Sequence, residues 1–212
     1  MNEGMGNLGG SLSMATFSFG AFPTLSTARL DLLEFDPKFV NDIFAFRSDP
    51  IVQLYNSAPH QTPDETLRFI AEQRDNYSHQ QEIIWAVSVR SLSRTVGSVS
   101  VFDWNRYHRR AQIGYDLAKD QWGKGLAQEA VRAVLRFAFE QMDLNRVEIW
   151  TSAANERSLR LARRLGFTLD GALRKRILEV DRQFYDCAVF GLLREEWSPD
   201  RALQPTPLAR RS

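Results

Sequence analysis

The apolar residues of this chain recur with two different periods, and each period predicts a different kind of element. Apolar positions three and four residues apart run from Ala127 to Met142 and predict the longest helix of the chain. Short runs rich in β-branched and aromatic residues are typical of strands instead. Such runs predict seven strands, at residues 28–35, 83–89, 95–102, 111–117, 146–151, 172–180 and 184–193.

Capping signals predict three further helices. The dipeptide Asp36-Pro37 supplies an N-cap and a proline at the first helical position, which is where a helix tolerates proline best. Residues 62–65 form a capping box ahead of a second helix. Asn155 caps a short third helix that ends before Gly166. The stretch 49–61 contains two prolines and is predicted to be a loop.

The order of these elements predicts one mixed sheet. A strand and two helices come first, followed by three strands, a helix, a strand, a helix and two final strands. Short connections make most neighbouring strands antiparallel, whereas the long helix between residues 117 and 146 requires a parallel crossover. We therefore expect an α/β (α+β) fold, with a mostly antiparallel sheet of about seven strands and helices on both faces.

Composition sets the expected boundaries of the domain. Residues 1–26 are rich in Gly, Ser and Met and show no periodicity, so a flexible N-terminal extension is expected there. Residues 27–197 carry all the predicted elements and suit a single domain. Residues 198–212 contain prolines and no apolar period, and we expect them to form a loose tail.

Composition and charge also exclude several classes of protein. A formal net charge of +1, with arginines interleaved with acids, argues against a nucleic-acid partner. The single Cys187 excludes an intramolecular disulfide, and with three histidines it leaves no zinc constellation, so no metal site is expected. A reducing, cytoplasmic location is the simplest fit. No apolar run approaches the ~18 residues of a membrane span, so no membrane partner is expected.

Six residues, 122–127, link the fourth strand to the longest helix and carry two glycines, Gly123 and Gly125. The first amides of a helix have no intrahelical partner, and the helix dipole adds positive charge there. Glycine lets an anion approach the backbone closely, so this segment is expected to cradle a phosphate. Neither a Walker loop nor a dinucleotide fingerprint fits, because Gly125 follows Lys124 and Gln128 replaces the third glycine.

Several short motifs occur in a fixed order between residues 27 and 197. They are Thr27–Leu30, Ile113–Tyr115, Trp122–Ala127, Asn155–Ser158, Leu165–Phe167 and Phe190–Leu193. Together they resemble the GCN5-related N-acetyltransferases (GNAT), and most closely the RimJ/RimL-like branch that acetylates protein N-termini. The resemblance implies the GNAT sheet, with a splayed parallel strand pair that binds the cofactor acetyl-CoA, and an acyltransferase activity.

The resemblance also implies which residues hold acetyl-CoA. The family's pyrophosphate motif falls on Trp122, Gly125 and Ala127, although Trp122 departs from the usual Gln or Arg at the first position. Strands 111–117 and 146–151 are expected to splay, leaving backbone groups near Leu117 free for the pantetheine arm. The full set of expected cofactor-binding residues is Leu117, Trp122, Gly123, Lys124, Gly125, Leu126, Ala127 and Asn155.

The catalytic groups follow the family pattern less closely than the glycine loop does. Many family members carry a tyrosine four residues before the Gly-Phe pair to protonate the departing thiolate, and here that position is Ala162. Ser158, one turn upstream on the same helix, is the expected substitute by resemblance to RimL-like enzymes. Glu148 and Asp116, near the predicted cleft edges of their strands, are the expected bases acting through a water molecule.

Amine chemistry favours a protein or peptide N-terminus, of the ribosomal-protein type, as the acceptor. An α-amine with a pKa of about 7.7 to 8.0 is partly neutral at pH 7, whereas deprotonating a lysine with a pKa of about 10.4 requires roughly 4.6 kcal/mol. A small amine such as an aminoglycoside, a polyamine or an amino acid is one alternative acceptor. A non-catalytic acyl-CoA-binding regulatory module is another reading. Exposed sheet edges would also allow pairing into a homodimer.

Overall fold

The computed structural model describes residues 17–199 of the chain. Its helices are α1 (Val40–Arg47), α2 (Pro50–Gln53), α3 (Pro63–Ser78), α4 (Leu126–Glu140) and α5 (Glu156–Leu165). Its strands are β1 (Leu25–Ser26), β2 (Leu30–Glu34), β3 (Ile83–Val89), β4 (Arg94–Asn105), β5 (Arg110–Leu117), β6 (Arg146–Ser152), β7 (Thr168–Leu178) and β8 (Phe184–Leu193). None of these five helices is long and apolar enough to cross a membrane.

All eight described strands belong to one sheet, in the order β1-β2-β3-β4-β5-β6-β8-β7. Neighbours are antiparallel except β5 and β6, which are parallel because α4 crosses over between them. The predicted α/β (α+β) fold, with its mixed and mostly antiparallel sheet, is confirmed. The eighth strand, β1, was not predicted because two residues are too few to show a period.

Strand β3 shows that helices cover both faces of the sheet. Successive side chains of a strand point to opposite faces. Trp85 and Val87 belong to the main core, which includes α4, whereas Ile84 and Ala86 belong to a second core with α1 and α3. The predicted apolar stripe of α4 is its buried face. Its residues with an exposed fraction of at most 2% include Ala130, Val131, Val134, Leu135 and Ala138.

Two of the predicted caps are present, and the second of them positions a helix beside the site. The Thr62 hydroxyl accepts a hydrogen bond from the Glu65 amide (3.3 Å), and the Glu65 carboxylate accepts one from the Gln61 amide (2.7 Å) at the start of α3. At the start of α5, Asn155 Oδ1 accepts from the Ser158 amide (3.2 Å). The second cap places Ser158 in the first turn of α5, where it meets β5.

Residues 50–53 form helix α2 within the stretch that the sequence predicted to be a loop. Asp49 Oδ1 accepts from the Ile51 amide (2.8 Å), and Pro50 follows at the first helical position. The same Asp-Pro signal opens the 3₁₀ turn at residues 37–39. The prediction missed α2 because four residues are too few to show an apolar period. Helix α2 forms one wall of the site.

The N-terminal boundary differs from the prediction. Residues 1–16 lie outside the described residues, as does the predicted tail from residue 200 onward. The three phenylalanines that follow residue 16 all pack against the main core, and they are Phe17, Phe19 and Phe22. The Trp85 indole also donates a hydrogen bond to the Pro23 carbonyl (2.5 Å). Residues 17–26 are therefore part of the packed domain, although their Gly- and Ser-rich surroundings suggested a flexible segment.

Phe22→Ala should lower the free energy of unfolding by about 2 kcal/mol, because a half-buried phenylalanine contributes less than a fully buried one. The Phe22 ring centroid lies 4.9 Å from that of Tyr77 and 6.0 Å from that of Trp85. Urea unfolding measures the change. The matched control is Phe184→Ala, at a side chain that is 55% exposed, which should change stability by less than about 0.5 kcal/mol. If Phe22→Ala lowered the free energy of unfolding by as little as is expected for Phe184→Ala, the N-terminal segment would add no stability.

Candidate active site

The glycine loop opens α4 with its backbone accessible. Gly123 and Gly125 have φ angles of 75° and 76°, a left-handed conformation that residues with a Cβ rarely adopt. Gly125 is the N-cap of α4, and no side chain among residues 17–199 caps that end. A Cβ added at Gly123 would meet no atom within 4 Å, so the space over the loop is open. The first amides of α4 therefore face a place where an anion can bind.

Strands β5 and β6 separate next to this loop. They pair only over Arg110–Gln112 and Arg146–Glu148, while β5 continues to Leu117 and β6 to Ser152. On its other side, β5 stays paired with β4 along its length. The splayed parallel pair expected from the sequence is present, and it leaves one edge of residues 113–117 without a strand partner.

A cavity of about 460 Å³ lies beside the splayed strands. Four segments form its walls: α2 with the turn after it, the end of β5, the glycine loop with the first turn of α4, and α5. Residues on these walls include Ile51, Val52, Tyr55, Tyr115, Asp116, Trp122, Gly125, Gln128, Asn155 and Ser158. Tyr55 joins two of the walls, because its hydroxyl donates to the Ala154 carbonyl (3.2 Å) just before α5.

Seven of the eight residues predicted to bind the cofactor line this cavity. They are Leu117, Trp122, Gly123, Gly125, Leu126, Ala127 and Asn155. The exception is Lys124, which lines a neighbouring pocket and donates from Nζ to Gln121 Oε1 (3.1 Å). Leu117 differs in one detail, since its carbonyl accepts from the Trp122 indole (2.7 Å) and is not free as expected. The glycine motif and Asn155 nevertheless come together in one place.

Ser158 lies in the cavity wall in the first turn of α5 and is 7% exposed. Its hydroxyl oxygen is 2.8 Å from the hydroxyl oxygen of Tyr115 on β5. Burial raises the pKa of the Tyr115 phenol to about 12, so this group stays protonated at neutral pH. Tyr115 was not among the predicted site residues, because its partner Ser158 is 43 residues away in the sequence. Its place in the Ile113–Tyr115 motif was the available signal.

The two carboxylates predicted as bases have different surroundings. Asp116 lines the cavity, where its Oδ1 accepts from the amide (2.9 Å) and hydroxyl (2.5 Å) of Ser98, and its Oδ2 lies 3.4 Å from Arg47. Glu148 lies outside the cavity wall. Its carboxylate accepts hydrogen bonds from Arg146 (2.7 Å) and from the Trp150 indole (2.9 Å). Of the two, Asp116 alone reaches the cavity. In the described part of the chain, no group of three or more His, Cys, Asp or Glu side chains could hold a metal ion.

A family match agrees with this geometry. Residues 29–168, more than half of the chain, match the family model described as an acetyltransferase (GNAT) domain. The chain belongs to the GNAT acetyltransferase family. It is therefore an N-acetyltransferase, and acetyl-CoA is the cofactor that this family uses.

Curated N-acetyltransferases are similar over about four fifths or about half of the chain. YoaA of Bacillus subtilis (strain 168), an uncharacterized N-acetyltransferase, is 27% identical over 174 residues, which cover 82% of this chain and 98% of YoaA. YdaF of the same strain, provisionally named a ribosomal N-acetyltransferase, is 35% identical over 105 residues, or 50% of this chain and 57% of YdaF. The spermidine N(1)-acetyltransferase of Escherichia coli (strain K12) is 27% identical over 111 residues, or 52% of this chain and 59% of that enzyme. Family membership thus leaves the acceptor open.

Solved GNAT structures share the fold. RimL, a ribosomal L7/L12 alpha-N-protein acetyltransferase in complex with coenzyme A, aligns with a TM-score of 0.73 over 81% of this chain and 98% of RimL. A GNAT-family acetyltransferase from Bacillus anthracis aligns with a TM-score of 0.72 over 82% of this chain and 100% of that one. The sequence identities are 18% and 23%, so these two likenesses concern the fold alone.

Four side chains that the sequence did not single out make this GNAT cavity suitable for coenzyme A. The Arg157 guanidinium lies 3.8 Å from the centre of the Trp122 ring, and Arg160 and Arg164 line the same cavity. Positive charge beside open helix amides suits a diphosphate. Arg157 thereby brings a cation to the place where the family motif usually has Gln or Arg. Gln128 Nε2 is buried without a hydrogen-bond partner among the described residues, so it can donate to a bound group.

Proposed function

We propose that this GNAT enzyme acetylates the α-amine of a protein or peptide N-terminus. The carboxylates of the cavity wall support this acceptor. Among the described residues the walls hold one, Asp116, whose Oδ1 accepts from Ser98 and whose Oδ2 lies 3.4 Å from Arg47. A polyamine or an aminoglycoside brings several positive charges, which this one carboxylate does not balance. An N-terminal amine brings one charge, which it loses near pH 8.

The similarity to named relatives supports the same acceptor class. The segment shared with YdaF is 35% identical, against 27% for the segment of similar length shared with the spermidine enzyme. The RimJ/RimL-like motifs Ile113–Tyr115 and Asn155–Ser158 favour the same reading. A ribosomal-protein-type N-terminus is therefore the leading acceptor, and a small amine is the alternative.

We assign a separate role in acetyl transfer to each group of residues in the cavity. Acetyl-CoA supplies the acetyl group in the activated form of a thioester. The amides after Gly125, together with Arg157, hold the anionic end of the cofactor. Ser158 donates a hydrogen bond from Oγ to the departing sulfur and stabilises the thiolate, which then takes its proton from water. Asp116 accepts the amine proton through water, whereas Glu148 holds Arg146 outside the cavity.

A weak base is sufficient for an N-terminal acceptor. An α-amine with a pKa of about 7.7 to 8.0 is roughly one-tenth neutral at pH 7, whereas a lysine is neutral in roughly one molecule in 2,500. Asp116 Oδ1 already accepts two hydrogen bonds from Ser98, and its Oδ2 lies 3.4 Å from Arg47. This arrangement suits an amine that is already partly neutral.

Thiol release from acetyl-CoA tests the proposal. The acceptors are a lysine-free peptide with a free α-amine, the same peptide with a blocked N-terminus and one lysine, spermidine, and an aminoglycoside. We expect release with the first peptide to exceed release with the lysine peptide by roughly 100-fold at pH 7, because far more of its amine is neutral. Faster release with spermidine would overturn the acceptor assignment. Coenzyme A binding without release from any acceptor would favour the acyl-CoA-binding module instead.

The setting of the enzyme is also part of the proposal. Cys187 is a free, buried thiol, which suits a reducing cytoplasmic compartment. Homodimer formation stays a prediction. The edge that it would use is β7, which ends the sheet and is exposed along nearly its whole length.

A further inference from the structure

Tyr115 and Ser158 form an isolated pair of hydroxyl groups on the cavity wall. Their oxygens are 2.8 Å apart, and within residues 17–199 neither hydroxyl has a second hydrogen-bond partner. Both side chains line the cavity. Two hydroxyls carry two protons and share one hydrogen bond, so one proton is left over. The residue that keeps this proton determines what the pair can do.

The chemistry of the two hydroxyls favours the phenol as donor of the shared hydrogen bond. An aromatic hydroxyl is a stronger hydrogen-bond donor and a weaker acceptor than an aliphatic one, so donation from Tyr115 to Ser158 Oγ is the better arrangement at this distance. Burial raises the pKa of the phenol to about 12, so Tyr115 stays protonated at neutral pH. With Ser158 Oγ accepting from Tyr115, the serine proton is free for a group in the cavity.

We propose that Tyr115 is a positioning residue that holds the Ser158 hydroxyl as a donor toward the sulfur of bound coenzyme A. The inference rests on the proposed role of Ser158. Tyr115 does not itself protonate the sulfur, because a thiol with a pKa of about 8.5 holds a proton less tightly than this phenol does. Position 162, where many family members have a tyrosine, is a fully buried alanine. The phenol thus reaches the cavity from β5 and acts through Ser158.

The pKa of the thiol of bound coenzyme A tests this role without turnover. If Ser158 Oγ donates to the sulfur, the enzyme stabilises the thiolate, and ultraviolet absorbance over a pH series reports its fraction. Tyr115→Phe keeps the ring and removes the donor. We expect the acid dissociation constant of the bound thiol to fall roughly fivefold, as for the loss of one hydrogen bond. The affinity for desulfo-coenzyme A, which lacks the thiol, should be unchanged. An unaltered thiol pKa in this variant would overturn the proposal.

A double-mutant cycle separates positioning from a purely structural role. Tyr115→Phe should lower kcat roughly fivefold with little change in KM, and it should have no further effect when Ser158 is replaced by alanine. Additive effects of the two substitutions would contradict the proposal. Tyr107→Phe removes a hydroxyl from a residue that is 83% exposed and should leave kcat and the thiol pKa unchanged. If the unmodified enzyme acetylates no amine, the acceptor proposal fails, and the thiol measurement still decides the role of Tyr115.

Discussion

Replacing Gly125 with valine should weaken the binding of coenzyme A roughly 100-fold, or about 2.7 kcal/mol. Gly125 has a φ of 76° and is the N-cap of α4. A residue with a Cβ in this left-handed conformation costs about 1–2 kcal/mol, and a backbone shift that relieves the strain also moves the amides of the loop. The new side chain would further occupy the open space over the loop, where the Arg29 guanidinium, 3.6 Å from a built Cβ, is the nearest group. Both effects oppose the bound phosphate.

Isothermal titration calorimetry with coenzyme A measures this change, and the melting temperature shows whether the variant remains folded. Gly171→Val is the matched control, because Gly171 has no left-handed φ and a Cβ there would meet nothing within 4 Å. It should bind coenzyme A as the unmodified enzyme does. If a folded Gly125→Val variant lost less than about threefold in affinity, the loop amides would not be the phosphate site.

Ser158→Ala should lower kcat roughly 100-fold while the affinity for coenzyme A changes little, because it removes a donor that is needed mainly as the thiolate forms. The variant should stay folded. The backbone amide of residue 158 still donates to Asn155 Oδ1, so the cap of α5 is retained. Thiol release with the α-amine peptide gives kcat and KM.

The matched control for this variant is Ser78→Ala at the exposed end of α3. The Ser78 hydroxyl donates to the Asp75 carbonyl (2.8 Å), far along the chain from the residues of the site, and its loss should leave kcat unchanged. Full turnover by Ser158→Ala, with normal coenzyme A binding, would remove Ser158 from the reaction and with it the proposed hydrogen bond to the sulfur.

The fold could be predicted because each of its signals depends on residues that are close in sequence. The apolar stripe of α4 and the helix caps each report the packing or hydrogen bonding of one element. The parallel pairing of β5 with β6 followed from the length of α4 between them. The glycine loop was found for the same reason, since Gly123 and Gly125 lie directly before the helix that they open.

The parts of the site that escaped prediction depend on residues that are far apart in sequence. Tyr115 and Ser158 are 43 residues apart, and no local pattern indicates that their hydroxyls meet. In the same way, the guanidinium of Arg157 on α5 contacts the ring of Trp122 in the glycine loop. Glu148 shows the opposite case, because its strand position suggested an accessible base, whereas Arg146 binds its carboxylate. The side-chain partners, which only the structure shows, therefore decide which candidate residues lie in the cavity and which lie outside it.

The most direct test of the account is to identify which nitrogen of a single peptide becomes acetylated. The substrate is a peptide with a free α-amine and one internal lysine, incubated with the enzyme and acetyl-CoA. Tandem mass spectrometry then locates the acetyl group. We expect acetylation of the N-terminal nitrogen, with the lysine left unmodified. Acetylation of the lysine side chain alone would contradict it.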